Sequence, residues 1–256
     1  MPVTRFPQPF SPIGCEACRD RRLLPFDFTM AFQPIIDLER GRPAAYEALV
    51  RGVNGESAAT VLSWVDDDNR YRFDQACRVK AIELASRLGL LNIPDCRLSI
   101  NFLPNAVYRP ETCIRATIEA AARYNFPHHR IMFEVTEGEK VRDSNHLQSI
   151  FAEYRRQGLL TAIDDFGAGY AGLNLLAQFQ PHYLKLDMEL TRGIDHDPVR
   201  QAIAEAVRLV CLRLDIQLIA EGIETRRESD FLHRIGIYLQ QGYYFARPMV
   251  ESLPDC

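Results

Sequence analysis

The sequence lacks any apolar run that approaches the roughly 18 residues of a membrane-spanning helix. Its first twelve residues also lack the basic start and apolar stretch of a secretion signal. There is little excess of either charge, because 30 basic and 34 acidic residues leave a formal net charge of −4. We therefore expect a cytoplasmic protein with no membrane span and no affinity for nucleic acid polymers. Any phosphate-bearing ligand must then be held locally or through a metal ion.

Cysteine is too irregular in number and spacing for a disulfide framework. Of the seven cysteines, four lie in apolar helix or strand patterns, where a reduced thiol behaves as a small hydrophobe: Cys77, Cys96, Cys113 and Cys211. Cys15 and Cys18 form a C-x-x-C motif within residues 1–26, an irregular lead-in rich in Pro, Arg and Cys. A structural zinc site needs two further ligands, and no second C-x-x-C or H-x-x-x-H follows. A metal or redox role and an ordinary N-terminal turn both stay open for this pair.

From residue 27 onward, short apolar runs alternate with helical patterns, which is typical of a mainly parallel sheet with crossover helices. Asp197 can cap a helix that has Pro198 at its first position, and another helix begins at Ser144 and is stopped by Gly158. No linker interrupts the series, so residues 27–256 are predicted to form one α/β domain, a (β/α)8 barrel. The expected strands are approximately 29–36, 44–50, 97–101, 131–135, 160–164, 183–186, 217–220 and 239–244.

One junction is too short for a parallel connection. Only residues 37–43 separate the first two expected strands, whereas a parallel crossover needs about a dozen residues or more. These two strands are therefore predicted to be antiparallel, which gives a modified TIM (β/α)8 barrel. In such barrels, the C-terminal strand ends and the loops after them form the active face.

Polar residues recur at the ends of the apolar runs. Scattered surface charges would show no such order, so the pattern predicts that these side chains converge on one mouth of the barrel. Carboxylates predominate among them, and oxygen ligands of this kind suit hard divalent cations beside a phosphate. The residues are Glu47, Asn101, Glu134, Asp164, Asp165, Lys185, Glu221 and Gln241.

Ordered motifs along residues 28–250 resemble those of a known family. The segment YEALVR at residues 46–51 is similar to the signature of the EAL domain, and FQPI at residues 32–35 precedes it as in that family. A single E-A-L triplet arises by chance, but seven ordered motifs on one barrel are highly specific. The further matches are SIN (99–101), FEVTE (133–137), IDDFGAGY (163–170), KLD (185–187), AEGIET (220–225) and QGYYF (241–245).

The resemblance implies hydrolysis of the bacterial second messenger cyclic di-GMP to linear 5′-pGpG, with two Mg²⁺ or Mn²⁺ ions in the active site. It implies that the ligands of the first ion are Glu47, Asn101, Glu134 and Asp164. It further implies that Asp164 bridges to the second ion and that Asp165 binds that ion.

The resemblance also implies roles beyond metal binding. Lys185 would fix the nucleophilic water, and Glu221 would act as general base or support the second ion. Glu47 is implied to be a catalytic residue as well as a metal ligand. Contacts with the dinucleotide are implied for Gln33, Arg51, Asp187 and Gln241. Glu137 would brace the glycine-rich loop that follows Asp165. Residues 171–172 are Ala-Gly where many members carry two serines, a departure that bears on turnover and metal affinity.

A catalytically silent receptor, which binds cyclic di-GMP and acts through a protein partner, is the alternative. Degenerate members typically lose metal ligands, whereas this sequence retains each of them, so hydrolysis is the leading hypothesis. Ca²⁺ is expected to inhibit, because it prefers more ligands at longer distances than Mg²⁺. We also expect a homodimer joined through the helices that follow the strands of Asp164 and Lys185. A separate sensor or regulatory partner is left open.

Overall fold

The computed structural model describes residues 24–136, 144–168 and 172–255. Glu137 and the cysteine pair Cys15 and Cys18 lie outside these ranges, so their expected roles stay predictions. The strands within the ranges are β1 (Phe28–Asp37), β2 (Arg42–Gly52), β3 (Arg97–Asn101), β4 (Ile131–Thr136), β5 (Leu160–Phe166), β6 (Tyr183–Leu186), β7 (Gln217–Ala220), β8 (Leu239–Gln240) and β9 (Met249–Val250).

Helices connect most of the parallel strands. They are α1 (Ala58–Leu62), α2 (Arg70–Arg87), α3 (Pro110–Cys113), α4 (Arg115–Arg123), α5 (Ser144–Arg156), α6 (Gly172–Gln178), α7 (Met188–Thr191), α8 (Pro198–Arg213) and α9 (Arg226–Arg234). Both predicted helix starts are confirmed, since α5 begins at Ser144 and the Asp197 carboxylate accepts hydrogen bonds from the first turn of α8. In the described part of the chain, no helix has the length and apolarity that a bilayer crossing requires.

Strands β1 to β8 close into a barrel. Strands β2 to β8 pair in parallel with their neighbours, and β1 closes the barrel between β8 and β2, antiparallel to both. Residues 38–41 make the tight turn between β1 and β2. The predicted modified TIM barrel with an antiparallel first strand is therefore confirmed. Strand β9 adds a short antiparallel pairing to β1 near Ala31 and Phe32.

The barrel interior is built in layers, because side chains two residues apart on a strand point to the same face. One layer is a buried apolar cluster of Ile35, Ala45, Met132, Ala162, Tyr183 and Ile219. We call this cluster the basal layer. Each of its members is separated by two positions in the sequence from a polar residue predicted for the site. In the order of the cluster, these polar residues are Gln33, Glu47, Glu134, Asp164, Lys185 and Glu221. The apolar layer thus supports the polar layer and fills the barrel beneath it.

A buried ion pair connects α2 to two of the strands that carry the site. Arg78 and Asp74 are 2.8 Å apart and almost completely buried. The Asp74 carboxylate accepts a hydrogen bond from the backbone N–H of Leu103, two residues beyond β3, at 2.9 Å. The Arg78 guanidinium lies 4.9 Å from the ring centroid of Phe133 in β4 and donates to the Tyr154 hydroxyl at 2.7 Å. Removing one partner would leave a buried charge uncompensated, so the pair holds these elements in register.

The last barrel strand is shorter than predicted. Strand β8 ends at Gln240 instead of continuing through residue 244. Gly242 follows and packs directly on the backbone of Ile223, where an added Cβ would lie 2.0 Å from the carbonyl oxygen. Only glycine allows this close approach, and the chain turns there instead of extending the sheet.

Candidate metal centre and binding pocket

Lys185 lies at the centre of the barrel mouth, with a side chain that is only 1% exposed. Its Nζ is 2.6 Å from a carboxylate oxygen of Glu221, 2.9 Å from Glu134, 3.0 Å from Asp164 and 3.4 Å from Glu47. Burying an ammonium group is unfavourable unless anions compensate it. Four carboxyl groups exceed that need, so the centre would carry a net negative charge if all of them were ionised.

Three of these carboxylates form one potential ligand group. Glu47, Glu134 and Asp164 present oxygen atoms within 4.8 Å of one another. Asn101 pairs with Glu134 across β3 and β4, and its amide nitrogen donates to Glu47 at 2.9 Å. Ser99 donates a hydrogen bond to Glu134 from below. Ser99 is not among the residues predicted for the site, although it belongs to the SIN motif and its position two residues before Asn101 puts it on the same face of β3.

Asp164 and Asp165 reach the same mouth because β5 is irregular at this point. Adjacent side chains of a regular strand point to opposite faces. The register of β5 against β6 shifts between Ile163 and Phe166, and Asp165 has a left-handed φ of 54°. Asp164, Asp165 and Glu221 consequently present oxygen atoms within 4.8 Å of one another. Asp164 therefore belongs to both ligand groups.

Burial and mutual repulsion raise the pKa values of most of these carboxyl groups. Burial raises the pKa of Glu134 to about 8, although the Lys185 ammonium opposes the shift. Burial and the neighbouring charge of Asp164 raise the pKa of Asp165 to about 6. Burial likewise raises the pKa values of Asp164 and Glu221. Additional positive charge would favour the ionised form of all four groups.

Glu47 is the exception among the acidic residues. Burial alone would raise its pKa, but the Lys185 ammonium and hydrogen bonds from Gln241 and Asn101 together lower the pKa of Glu47. Burial also disfavours charge on Lys185, yet the surrounding carboxylates hold the pKa of its ammonium well above the usual value. Glu47 and Lys185 thus form the stable charged pair at the centre.

The donor set fits a hard divalent cation. The two described ligand groups consist of carboxylate oxygens, without thiols or imidazoles, which is the ligand chemistry of Mg²⁺, Mn²⁺ and Ca²⁺. The two ligand groups share Asp164.

A pocket of about 240 Å³ adjoins the centre and is lined by several of the residues predicted to bind the ligand. Gln33, Glu47, Asp187 and Gln241 line it. The Gln241 amide donates to Glu47 at 2.8 Å and lies 3.4 Å from the Gln33 amide oxygen, so these polar groups share one wall. Asp187 also has a structural function, since its carboxylate caps α7 by accepting the Glu189 N–H at 2.8 Å.

Two arginines near the pocket differ from the expectation. Arg51 is not among the residues that line the pocket, and its guanidinium donates to the Val50 carbonyl oxygen at 2.7 Å. Its contact with the dinucleotide stays a prediction. Arg192 lines the pocket instead and forms an ion pair with Glu224 at the rim. No motif in the sequence marks Arg192.

Fold and site together define the class of protein: a modified (β/α)8 barrel with an acidic, lysine-centred site at its mouth. A family model described as the EAL domain matches residues 20–248. The chain therefore belongs to the EAL domain family.

Two curated relatives illustrate the range of the family. The blue light- and temperature-regulated antirepressor BluF of Escherichia coli K12 is 33% identical over 226 residues, which cover 88% of this chain and 55% of BluF. The cyclic di-GMP phosphodiesterase PA2567 of Pseudomonas aeruginosa is 30% identical over 235 residues, which cover 89% of this chain and 40% of that protein. The chain thus spans about half the length of these relatives or less.

Solved structures agree with the fold. A standalone versatile EAL protein from Vibrio cholerae O395, in its c-di-GMP-bound form, is 56% identical with a TM-score of 0.86, covering 90% of this chain and 96% of that one. Klebsiella pneumoniae BlrP1 with manganese and cyclic di-GMP is 34% identical with a TM-score of 0.82, covering 88% of this chain and 56% of that one. A complex of BlrP1 with calcium and cyclic di-GMP is 32% identical with a TM-score of 0.83, covering 97% of this chain and 62% of that one.

Proposed function

We propose that the protein hydrolyses cyclic di-GMP to linear 5′-pGpG in a reaction that depends on divalent metal ions. The observation that carries the proposal is that two groups of three carboxylates, which have Asp164 in common, surround the buried Lys185. Relatives named as cyclic di-GMP phosphodiesterases, and relatives solved with cyclic di-GMP and manganese, support the same activity.

The proposed ligands follow the two groups. Glu47, Asn101, Glu134 and Asp164 would hold one ion, and Asp164 and Asp165, with support from Glu221, would hold the other. Bound Mg²⁺ or Mn²⁺ neutralises phosphoryl oxygens and makes a water molecule more acidic.

The chain's own groups would orient the reactants and move the proton. The Lys185 Nζ lies among the carboxylates and would hold the attacking water and offset charge on the phosphate. Glu221 has the most exposed of the four carboxylates around that lysine, at 15% of its side chain, so water can reach it. Its carboxylate would accept the proton of the attacking water as the water oxygen bonds to phosphorus and the bond from phosphorus to the ribose 3′ oxygen breaks, and the leaving 3′ oxygen would take a proton from solvent. Gln33 and Gln241 would orient the dinucleotide.

The competing function is a receptor that binds cyclic di-GMP without cleaving it. The name of the relative BluF describes an antirepressor, which supports this alternative. Hydrolysis is favoured because each predicted metal ligand is present and the described ones converge on one centre.

A homodimer is part of the proposal. Helix α8 packs on the barrel mainly through Ala204 and Cys211, and a neighbouring face of the helix carries an apolar stripe, defined by Val199, Ile203 and Val210. These three side chains are 37–66% exposed. An isologous contact between two copies of α8 would bury the stripe on both chains at once.

We also propose a cytoplasmic location. Four described cysteines, Cys77, Cys96, Cys113 and Cys211, are buried and form no disulfide with a described residue, as expected in a reducing compartment.

One experiment separates the two candidate functions. The purified chain is incubated with cyclic di-GMP and Mg²⁺ or Mn²⁺, and the products are resolved by chromatography. Formation of 5′-pGpG that stops when a chelator is added supports the proposal. Saturable cyclic di-GMP binding with no product in either metal would support the receptor instead.

A further inference from the structure

A second cavity, here called the basal cavity, opens at the opposite end of the barrel. Its volume is about 550 Å³, and its walls include the first residues of several strands, among them Arg97 of β3 and Tyr183 of β6. Tyr183 belongs to the apolar layer that fills the barrel interior. Lys185 lies two residues further along the same face of β6, so this layer separates the basal cavity from the acidic centre.

Arginine is concentrated around the basal cavity. An adjoining hollow of about 150 Å³ shares Arg40 and Arg97 with it. Five arginines and three carboxylates line the two spaces, a local excess of positive charge in a chain whose net charge is −4. The charged groups are Arg40, Arg42, Arg97, Arg130, Arg208, Asp37, Glu39 and Asp95.

Among the described arginines that line these two spaces, Arg97 is the one whose guanidinium forms neither a hydrogen bond nor an ion pair. Arg40 pairs with Asp37 at 2.8 Å, and the Arg208 Nε donates to the Gly236 carbonyl at 3.2 Å. The Arg97 side chain makes no hydrogen bond or ion pair with a residue of the described ranges, and its Nε is buried. Leaving a buried charged donor unsatisfied is costly, and a planar guanidinium is suited to binding phosphate through two parallel hydrogen bonds.

Apart from Gln217, the uncharged side chains that line the basal cavity are aliphatic or aromatic, or belong to Cys211. The Arg97 guanidinium lies 5.7 Å from the Tyr183 ring centroid, and Tyr238, Ile216 and Leu218 line the same space. Such walls favour a ligand with a flat apolar body beside its anionic group. The size of the cavity is within the usual range for small-molecule sites of about 300 to 1,000 Å³.

We propose that the basal cavity binds a phosphorylated small molecule with a flat body, the chemistry of a mononucleotide, with its phosphate on Arg97. Arg208 and Arg40 add positive charge nearby, whereas Glu39 weakens binding. This site does not depend on the proposed hydrolysis, since no residue of the acidic centre takes part in it.

The test is calorimetric titration of the full chain with GMP, AMP, guanosine and inorganic phosphate, in the presence of a chelator. We expect GMP and AMP to bind at one site and both to bind more tightly than guanosine or phosphate alone. Arg97→Gln should weaken mononucleotide binding about tenfold or more, since a charge-assisted hydrogen-bonded pair is lost. Glu39→Gln should tighten it several-fold, because Glu39 is an exposed negative charge at the cavity. Arg226→Gln, an exposed arginine on α9, is the charge-matched control and should bind as the unmodified chain does.

Three results would overturn the proposal. The first is no mononucleotide binding at millimolar concentration. The second is binding that Arg97→Gln leaves intact and Glu47→Ala removes, which would place the ligand at the acidic mouth. The third is phosphate binding as tight as GMP binding, which would refute a site for a flat body. If circular dichroism shows that Arg97→Gln does not fold, the test relies on Glu39→Gln, which changes an exposed residue. An unchanged GMP affinity of the Glu39→Gln variant would then count against the proposal.

Discussion

Glu47 is a buried carboxylate whose contacts are almost entirely polar. It is 6% exposed and contacts Lys185, Asn101 and Gln241. A side chain of this kind contributes charge and geometry to the centre and little apolar packing to the core. Its loss should therefore affect chemistry far more than folding.

Glu47→Ala is expected to lower turnover by more than the roughly 100-fold that loss of an outer-shell partner of a metal ligand can cause. Initial rates of 5′-pGpG formation measure the effect, and far-ultraviolet circular dichroism confirms the fold. Glu111→Ala, which removes an exposed glutamate on α3, is the control and should retain activity. Activity of the Glu47 variant within a few-fold of the unmodified chain would contradict the metal-ligand assignment.

Ca²⁺ should bind the acidic centre, permit cyclic di-GMP binding and suppress turnover. Its preferred coordination is larger and looser than that of Mg²⁺, so the ligand groups that share Asp164 would be spaced differently around it. Rates measured with each ion alone, together with dinucleotide affinity in Ca²⁺, test this expectation. Equal rates in Ca²⁺ and Mg²⁺ would refute a mechanism that depends on coordination geometry.

At the scale of single elements, the end of β5 is the part of the site most dependent on backbone conformation. Asp165 combines a positive φ of 54° with a carboxylate that belongs to the second ligand group. Asparagine tolerates this conformation about as well as aspartate, whereas alanine does so at a cost of about 1–2 kcal/mol. Two substitutions therefore separate the charge of the residue from its backbone role.

Asp165→Asn and Asp165→Ala should both lose most turnover, because each removes the ligand carboxylate. Only Asp165→Ala should also lose stability, by about 1 kcal/mol. Chemical denaturation in a chelator measures the free energy of unfolding without any contribution from bound ions. Equal stabilities of the two variants would show that the left-handed backbone carries no strain.

Much of the fold follows from the sequence because loop length and strand-end polarity are local properties. The short stretch 37–43 excludes a parallel crossover, and the predicted antiparallel pair of β1 and β2 is present. The bulge at Asp165 is different, since it depends on pairing with β6 and adjacent aspartates alone do not specify it. The early end of β8 likewise depends on the contact between Gly242 and Ile223, which come from different loops.

The candidate site shows the same division. Glu134, Asp164, Lys185 and Glu221 could be predicted as a group, because each lies in the last three residues of a strand or directly follows one. Arg97 could not, because residues that begin strands converge at the other end of the barrel only after the barrel has closed. No local pattern distinguishes such an arginine from a solvated surface charge.

At the scale of the whole molecule, the apolar stripe of α8 is the feature least expected of an isolated barrel. Its periodicity in the sequence would equally suit a core-facing helix, yet Val199 is 66% exposed and Ile203 is 38% exposed. The helix follows β6, which carries Lys185, so a contact between copies at α8 can influence the position of that strand's end.

Ile203→Glu should convert a dimer at micromolar concentration into a monomer, because it puts a charge in the centre of the stripe. Sedimentation velocity measures the change, and Leu62→Glu, at a 46% exposed position on α1, is the matched control that should stay dimeric. Turnover of the Ile203 variant should fall more than its cyclic di-GMP affinity in Ca²⁺. A monomeric variant with undiminished turnover would exclude coupling between the contact and the acidic centre.

The lysine at the centre of the mouth also bears on how the protein is made. Carboxylates crowded into a closing barrel repel one another, and that repulsion would oppose the last steps of folding. Lys185 is part of the chain and arrives with β6, so it can neutralise part of this charge as the strands assemble. The barrel could therefore close without a metal ion, so the proposed metal binding would follow folding instead of being a condition for it.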